Sequence, residues 1–143
     1  MTAQHFVFDT NVIIRHRMSP VPGLVSAVVL QELTAGADDA SEIRRLGSVG
    51  AAAAKDGTLL TPDGDDWYQA GKVLNSLHRG LRSRRSRQPV SIPRDEQQRL
   101  LRDVLIARSA KRVNAAVVTY NRGDFEKIRR FCDVRVGDPV KFL

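Results

Sequence analysis

Ala115-Ala116-Val117-Val118-Thr119-Tyr120-Asn121-Arg122-Gly123-Asp124-Phe125 is the stretch that decides the fold. Its first four residues are apolar with no alternation, so a strand built from them is buried on both faces. Such a strand belongs to a parallel sheet with helices packed on either side. The polar run Asn121-Arg122-Gly123-Asp124 is then a turn, and a helix from Phe125 to Phe131 follows. The N-terminal end repeats the plan. His5-Phe6-Val7-Phe8 reads as a strand, and Asp9-Thr10-Asn11 opens a turn and a short helix through Ile14. Short β-like runs alternate with longer helical ones along the rest of the chain. That alternation predicts an α/β domain around a mostly parallel sheet.

Working outward, Pro20, Pro22 and Gly23 break the chain, and Ser26 caps a helix running to Thr34 that stops near Gly36. A second helix covers Ala40 to Lys55 despite Gly47 and Gly50, and Gly57 ends it. Thr58-Leu59-Leu60-Thr61 is a strand, Pro62 to Asp65 a turn, and Asp66 to His78 a helix. Arg79 to Val90 is basic and Ser-rich and reads as an exposed loop. Pro93 suits the first turn of a long helix ending at Arg112. Val134-Arg135-Val136 is a last short strand. There is no internal repeat and no low-complexity segment.

The chain has 143 residues, enough for one domain with an ordinary core. Its 42% hydrophobic and 27% charged content is that of a globular protein, which excludes a disordered chain. No apolar run is long enough to cross a bilayer, and no secretory pattern opens the sequence. Cys132 is the only cysteine, so no internal disulfide is expected, and a reducing cytoplasm is the natural setting. The net charge of +7 suggests a polyanionic partner. Arg79, Arg82, Arg84, Arg85 and Arg87 crowd one stretch, with Arg94, Arg99 and Arg102 close behind.

Four carboxylates carry the chemistry. Asp9 and Asp124 each follow an apolar strand, at the edge where open α/β sheets bind ligands. Each also fits a plain helix-capping role. Glu32 sits on a helical stripe with Val25, Val28 and Val29, where a buried acid is costly unless paired or bound to metal. The alternative places Glu32 at the stripe edge, in water. Asp103 interrupts a face formed by Leu100, Ile106, Ala107 and Ala110; its alternative is a buried ion pair with an arginine. If the helices pack on the sheet, the four acids converge. Carboxylates at close range need a counter-charge. A hard divalent cation supplies it, and oxygen ligands select Mg²⁺ or Mn²⁺. His5, His16 and His78 show no ligand spacing, and one cysteine makes no thiolate cluster, so zinc is not expected. Thr119, Asn121 and Asn11 frame the two strand ends and can orient a carboxylate or a water, or serve as turn residues only.

Phe-Val-Phe-Asp9-Thr-Asn11-Val-Ile, Ser26-Ala-Val-Val-Leu-Gln-Glu32-Leu, Asp103-Val-Leu-Ile-Ala-Arg-Ser-Ala and Val-Val-Thr119-Tyr-Asn121-Arg-Gly-Asp124-Phe together resemble the four motifs of PIN-domain ribonucleases. Their order and spacing look like those of VapC-type toxins of bacterial toxin–antitoxin pairs. The resemblance spans Phe6 to Phe125. It implies a three-layer α/β/α sandwich around a mostly parallel sheet. It implies Mg²⁺ or Mn²⁺ held near Asp9, Asp103 and Asp124, with Glu32 completing the pocket and Asn11, Thr119 and Asn121 supporting it. It further implies an RNA substrate, frequent homodimers, and a cognate antitoxin that inserts a segment near the acids. Arg108 departs from the family, which more often has a small residue there, and the basic stretch is heavier than in many members.

Arg82, Arg84, Arg85 and Arg87 can bind RNA phosphates, or dock an antitoxin, or simply keep a loop solvated. Lys111, Arg112, Arg122, Arg129 and Arg130 extend that basic surface. Trp67 and Tyr68 are expected to pack rather than to stack on bases. Three functions compete on these residues. The first is a metal-dependent endoribonuclease acting as a toxin. The second is a non-catalytic RNA-binding or assembly module of the same fold. The third is a phosphohydrolase with Asp9 as nucleophile, weakened because position 11 is asparagine where that chemistry wants a second acid.

Overall fold

The computed structural model describes residues 5–84 and 92–143, with backbone alone for 80–84. Five short strands are described: β1 Phe6–Phe8, β2 Val25–Ser26, β3 Leu59–Leu60, β4 Ala116–Val118 and β5 Val136–Gly137. Every pairing among them is parallel. One sheet has the order β1-β4-β5 and another pairs β2 with β3. A parallel bridge between Val7 and Leu24 joins the two, so the strands run β3-β2-β1-β4-β5. From β1 the chain builds to one side through β2 and β3, then crosses to β4 and β5 on the other. Beyond the strand ends, such a reversal opens a crevice where ligands bind.

Register decides what meets in that crevice. Phe8 of β1 lies opposite Val118 of β4. The next residues, Asp9 and Thr119, therefore leave the sheet side by side, and the Asp9 amide donates to the Val118 carbonyl at 2.9 Å. Val7, Val117 and Val118 are buried, as an uninterrupted apolar strand requires.

The helices are α1 Thr10–His16, α2 Ala27–Ala35, α3 Ala40–Asp56, α4 Gly64–Arg84, α5 Arg94–Arg112 and α6 Arg122–Arg129, with a final 3-10 turn at Pro139–Lys141. Local chemistry sets their ends. Ser26 Oγ accepts from the Val29 amide at 3.3 Å and starts α2. Asp39 caps α3, and Gly57 ends it at φ 74°, a conformation that costs glycine little. Inside α3, a Cβ on Gly50 would stand 3.0 Å from Leu30 Cδ1, so this glycine lets α2 and α3 pack closely. Pro93 occupies the N-cap of α5. The helix α5 packs against α2, α4, α6 and β4, which makes it the central helix of the site. Its buried residues include Leu100, Ile106, Ala107 and Ala110, as the spacing predicts, with Asp103 among them, and Val104 and Leu105 besides. No described helix is long and apolar enough to cross a membrane.

Three elements differ from the sequence expectation. Val25–Ser26 forms a strand where only a helix cap is expected, because two residues carry no readable period. Helix α6 begins at Arg122, not Phe125, so Asp124 lies in its first turn instead of a preceding turn. Helix α4 starts at Gly64 and runs on to Arg84, beyond the expected stop at His78. Leu81, Arg82 and Arg84 are strong helix formers, and Gly80 does not stop the helix. The start of the expected basic loop is thus helical. Arg85 and Arg87, and the rest of that loop to Ser91, lie outside the described residues.

Candidate active site

Asp9 is held from three directions at the end of β1. Its Oδ1 accepts from the Thr10 amide at 2.8 Å, which also caps α1. Its Oδ2 accepts from Thr119 Oγ1 at 2.8 Å and from Asn11 Nδ2 at 3.3 Å. Capping and a place in the acidic site are therefore both true of Asp9. The same polar residues lace the two strand ends together. Asn11 Oδ1 accepts from the Tyr120 amide at 3.2 Å, and Thr119 Oγ1 accepts from the Asn121 amide at 2.9 Å. Asn121 Nδ2 donates to Asp124 Oδ2 at 2.9 Å. Asn11, Thr119 and Asn121 thus touch the acids they are expected to support.

Asp103 comes to this place from α5. It is 6% exposed, and its Oδ2 has no hydrogen-bond partner. Burial pushes its pKa up to about 8, and the nearby charges of Asp9, Asp124 and Glu32 push the same way, against Arg99. The expected alternative, a buried ion pair, is absent for Asp103 among the described residues. Asp9, 4% exposed, is raised above the usual carboxylate range by burial, against the hydrogen bonds from Thr119 and Thr10. Glu32, half-buried on α2, is raised by burial and by Asp9, with Arg102 opposing. The four acids predicted from the sequence act on one another electrostatically.

The outer two have cationic neighbours. Arg99 Nε lies 3.0 Å from Asp124 Oδ2, and Arg102 Nε lies 3.8 Å from Glu32 Oε2. Sequence reasoning missed both pairs. Arg99 is four residues before Asp103 on one helix, a spacing that places it over the site. Arg102 gave no such signal, since one residue from Asp103 it does not share that helix face.

Among the described residues, no three acidic, histidine or cysteine side chains stand close enough to close on one ion without moving. The donors nonetheless suit a hard divalent cation. They are all oxygen, two are deeply buried, and the orphaned Asp103 Oδ2 has no bond to break first.

Other expected residues lie elsewhere. Arg108 crosses to α4, where it pairs with Asp65 and with buried Asp66, each at 3.1 Å. Arg112 reaches Asp63 and Asp66, and Arg129 reaches Glu126 and Asp133, so the charge of these two is shared with acids while their side chains stay 42% and 43% exposed. Trp67 and Tyr68 are 54% and 66% exposed, so of the packing expected for them, in the core or at an interface, the core is ruled out. They start α4, whose inward positions are taken by Asp66, Ala70 and Val73. The backbone of Arg82 and Arg84 belongs to α4; their side chains lie outside the described residues. His16 Nε2 and Tyr120 Oη are hydrogen-bonded at 2.5 Å, and the Arg15 guanidinium lies over the Tyr120 ring at 4.4 Å.

No family model and no curated protein matches this chain. Solved structures do. The chain is similar to one in the structure of FitAB bound to an IR36 DNA fragment, at 18% identity over 94% of each chain, with a TM-score of 0.55. It is also similar to a chain of VapBC-1 from nontypeable Haemophilus influenzae, at 20% identity over 96% of this chain and 99% of that one, with a TM-score of 0.56. At such identities the likeness speaks to fold, and the fold is the α/β/α sandwich around a parallel sheet that the sequence resemblance implies.

Proposed function

We propose that this chain is a metal-dependent endoribonuclease, the toxin of a toxin–antitoxin pair. The observation that carries the reading is the buried, unpartnered Asp103 carboxylate with Asp9, Asp124 and Glu32 around it. Buried acids at the strand ends do not serve stability, because Asp9 and Asp103 are costly there without a counter-charge. The fold likeness to chains of FitAB and VapBC-1 agrees with it.

On this reading Asp9, Asp103 and Asp124 hold Mg²⁺ or Mn²⁺. When bound, that cation supplies charge neutralisation at the phosphodiester and acidifies water for in-line displacement. The chain's own residues do the rest. Thr119 and Asn11 hold Asp9 Oδ2 and the Thr10 amide holds Oδ1, which fixes the carboxylate. Asn121 fixes Asp124. Glu32, nearest to solvent on α2, takes the proton from the attacking water. RNA is the substrate, and Arg82, Arg84, Arg85 and Arg87 add sequence-independent affinity for its phosphates. A cognate antitoxin covers the acidic crevice, and the working form is a cytoplasmic homodimer of a single-domain chain.

The test is RNA cleavage by the purified chain in Mg²⁺ or Mn²⁺. Cleavage is expected to stop with EDTA and with Asp9→Asn. Full activity in either condition rules the mechanism out. RNA binding without cleavage across a broad substrate panel would favour the non-catalytic module instead.

A further inference from the structure

Two arginines stand where the acidic site meets solvent. Arg99 and Arg102 precede Asp103 on α5 by four residues and by one. Their partners, Asp124 on α6 and Glu32 on α2, are the outer pair of the four acids. The inner pair, Asp9 and Asp103, has no ion pair among the described residues, and Asp103 Oδ2 has no partner of any kind. The cations are therefore divided by depth. Guanidinium groups serve the rim, and the deep oxygens are left for an ion from solution.

Both arginines remain open to water. Their side chains are 51% and 37% exposed. Each meets its carboxylate through Nε. For Arg99 the only other ionic neighbour described is Glu96, at 4.0 Å from Nη2. A guanidinium carries five N–H donors, and its outer edge matches two phosphate oxygens at once. An arginine already held by a carboxylate loses little further freedom when it takes a phosphate.

The charge pattern calls for such a contact. A phosphodiester approaching four acids is repelled, and one divalent ion in their midst leaves a net negative site. Two guanidiniums at the rim cancel the remainder and offer donors to the incoming chain. We infer that Arg99 and Arg102 bind the backbone phosphates that flank the bond to be cut, and so seat RNA across the mouth of the acidic site. The inference rests on the nuclease reading above and adds the residues that touch its substrate.

The test uses the full chain carrying Asp9→Asn, so that substrate is not consumed, and a fluorescein-labelled single-stranded RNA of mixed sequence in Mg²⁺. Binding is followed by anisotropy across a series of KCl concentrations. Arg99→Ala and Arg102→Ala are each expected to weaken binding about tenfold. Each should also reduce the slope of log K against log salt by about 0.7. Lysine at either position should restore the slope but only part of the affinity, since it keeps the charge and loses the fork. With Asp9 intact, the double alanine variant should raise KM for this RNA, over and above the change in kcat that follows from freeing Asp124 and Glu32. Parent affinity and parent slope in the alanine variants would overturn the assignment. So would a loss confined to kcat, which would make the arginines carriers of site charge only. The nuclease reading fails separately, if the unmutated chain cuts no RNA in Mg²⁺ or Mn²⁺.

Discussion

Asp103 concentrates the chemistry into one residue and gives it a measurable cost. Its folded pKa, pushed up to about 8 from an ordinary 3.8, means that the folded chain keeps a proton the unfolded chain has lost. Between those two values, each rise in pH therefore disfavours the fold, by at most about 1.4 kcal/mol per unit. This contribution is fully present below the unfolded value and gone above the folded one. Asp103→Asn removes the titration. In EDTA the variant should melt above the unmutated chain at pH 8, and the gap should close as pH falls toward 4, while metal-dependent cleavage is lost. Parallel melting-temperature profiles for the two proteins across that range would contradict the burial of an uncompensated acid. Asp103 was legible in the sequence because it breaks an apolar helical face, and Glu32 for the same reason. The contact of Thr119 with Asp9 was not, since 110 residues separate them and only strand register brings them together. The pairing of Arg102 with Glu32 was hidden likewise, as spacing along one helix says nothing of a neighbour on another.

At the scale of elements, the termini that carry chemical punctuation were readable and the short strands were not. Ser26, Gly57 and Pro93 mark helix ends in the sequence and in the fold. The pair Val25–Ser26 has too few residues for a period, and its strand pairing with Leu59–Leu60 comes from tertiary contact. Arg108, which departs from the resembled pattern, is explained by what α5 meets. Helix α4 begins with Asp65 and Asp66, and Asp66 is buried, with its oxygens shared between Arg108, Arg112 and the Asp63 amide. A buried acid needs such partners, so the large cation on α5 answers the acid on α4. Arg108→Ala leaves Asp66 with fewer donors and should cost about 1–3 kcal/mol. The urea midpoint should fall accordingly. Cleavage per folded molecule should stay as it was, because this pair ties α5 to α4 and takes no part among the four acids. An unchanged midpoint would show the tie to be dispensable.

Across the whole molecule two opposite fields coexist. The chain carries +7 overall, yet Asp9, Asp124 and Glu32 lie close enough to Asp103 to raise its pKa, so the surface away from these four acids is more basic still. Such a distribution draws a polyanion from a distance and repels it at contact. A divalent cation reconciles the two, and it does so by binding the folded chain alone, since strands β1 and β4 and helices α5 and α6 must all be in place to gather Asp9, Asp103 and Asp124. A ligand that binds only the folded state stabilises it by mass action, by about 2.7 kcal/mol at a hundredfold excess over its Kd. For a chain of this size that corresponds to a rise in melting temperature of roughly 5–10 °C. Mn²⁺ should therefore raise the melting temperature of the unmutated chain in a saturable manner, and EDTA should reverse it. Asp103→Asn and Asp124→Asn should abolish the shift, whereas Arg108→Ala should melt lower and keep it. An equal Mn²⁺ shift in Asp103→Asn would place the ion elsewhere on the surface, and with it would go the claim that the deep oxygens are built to receive a cation.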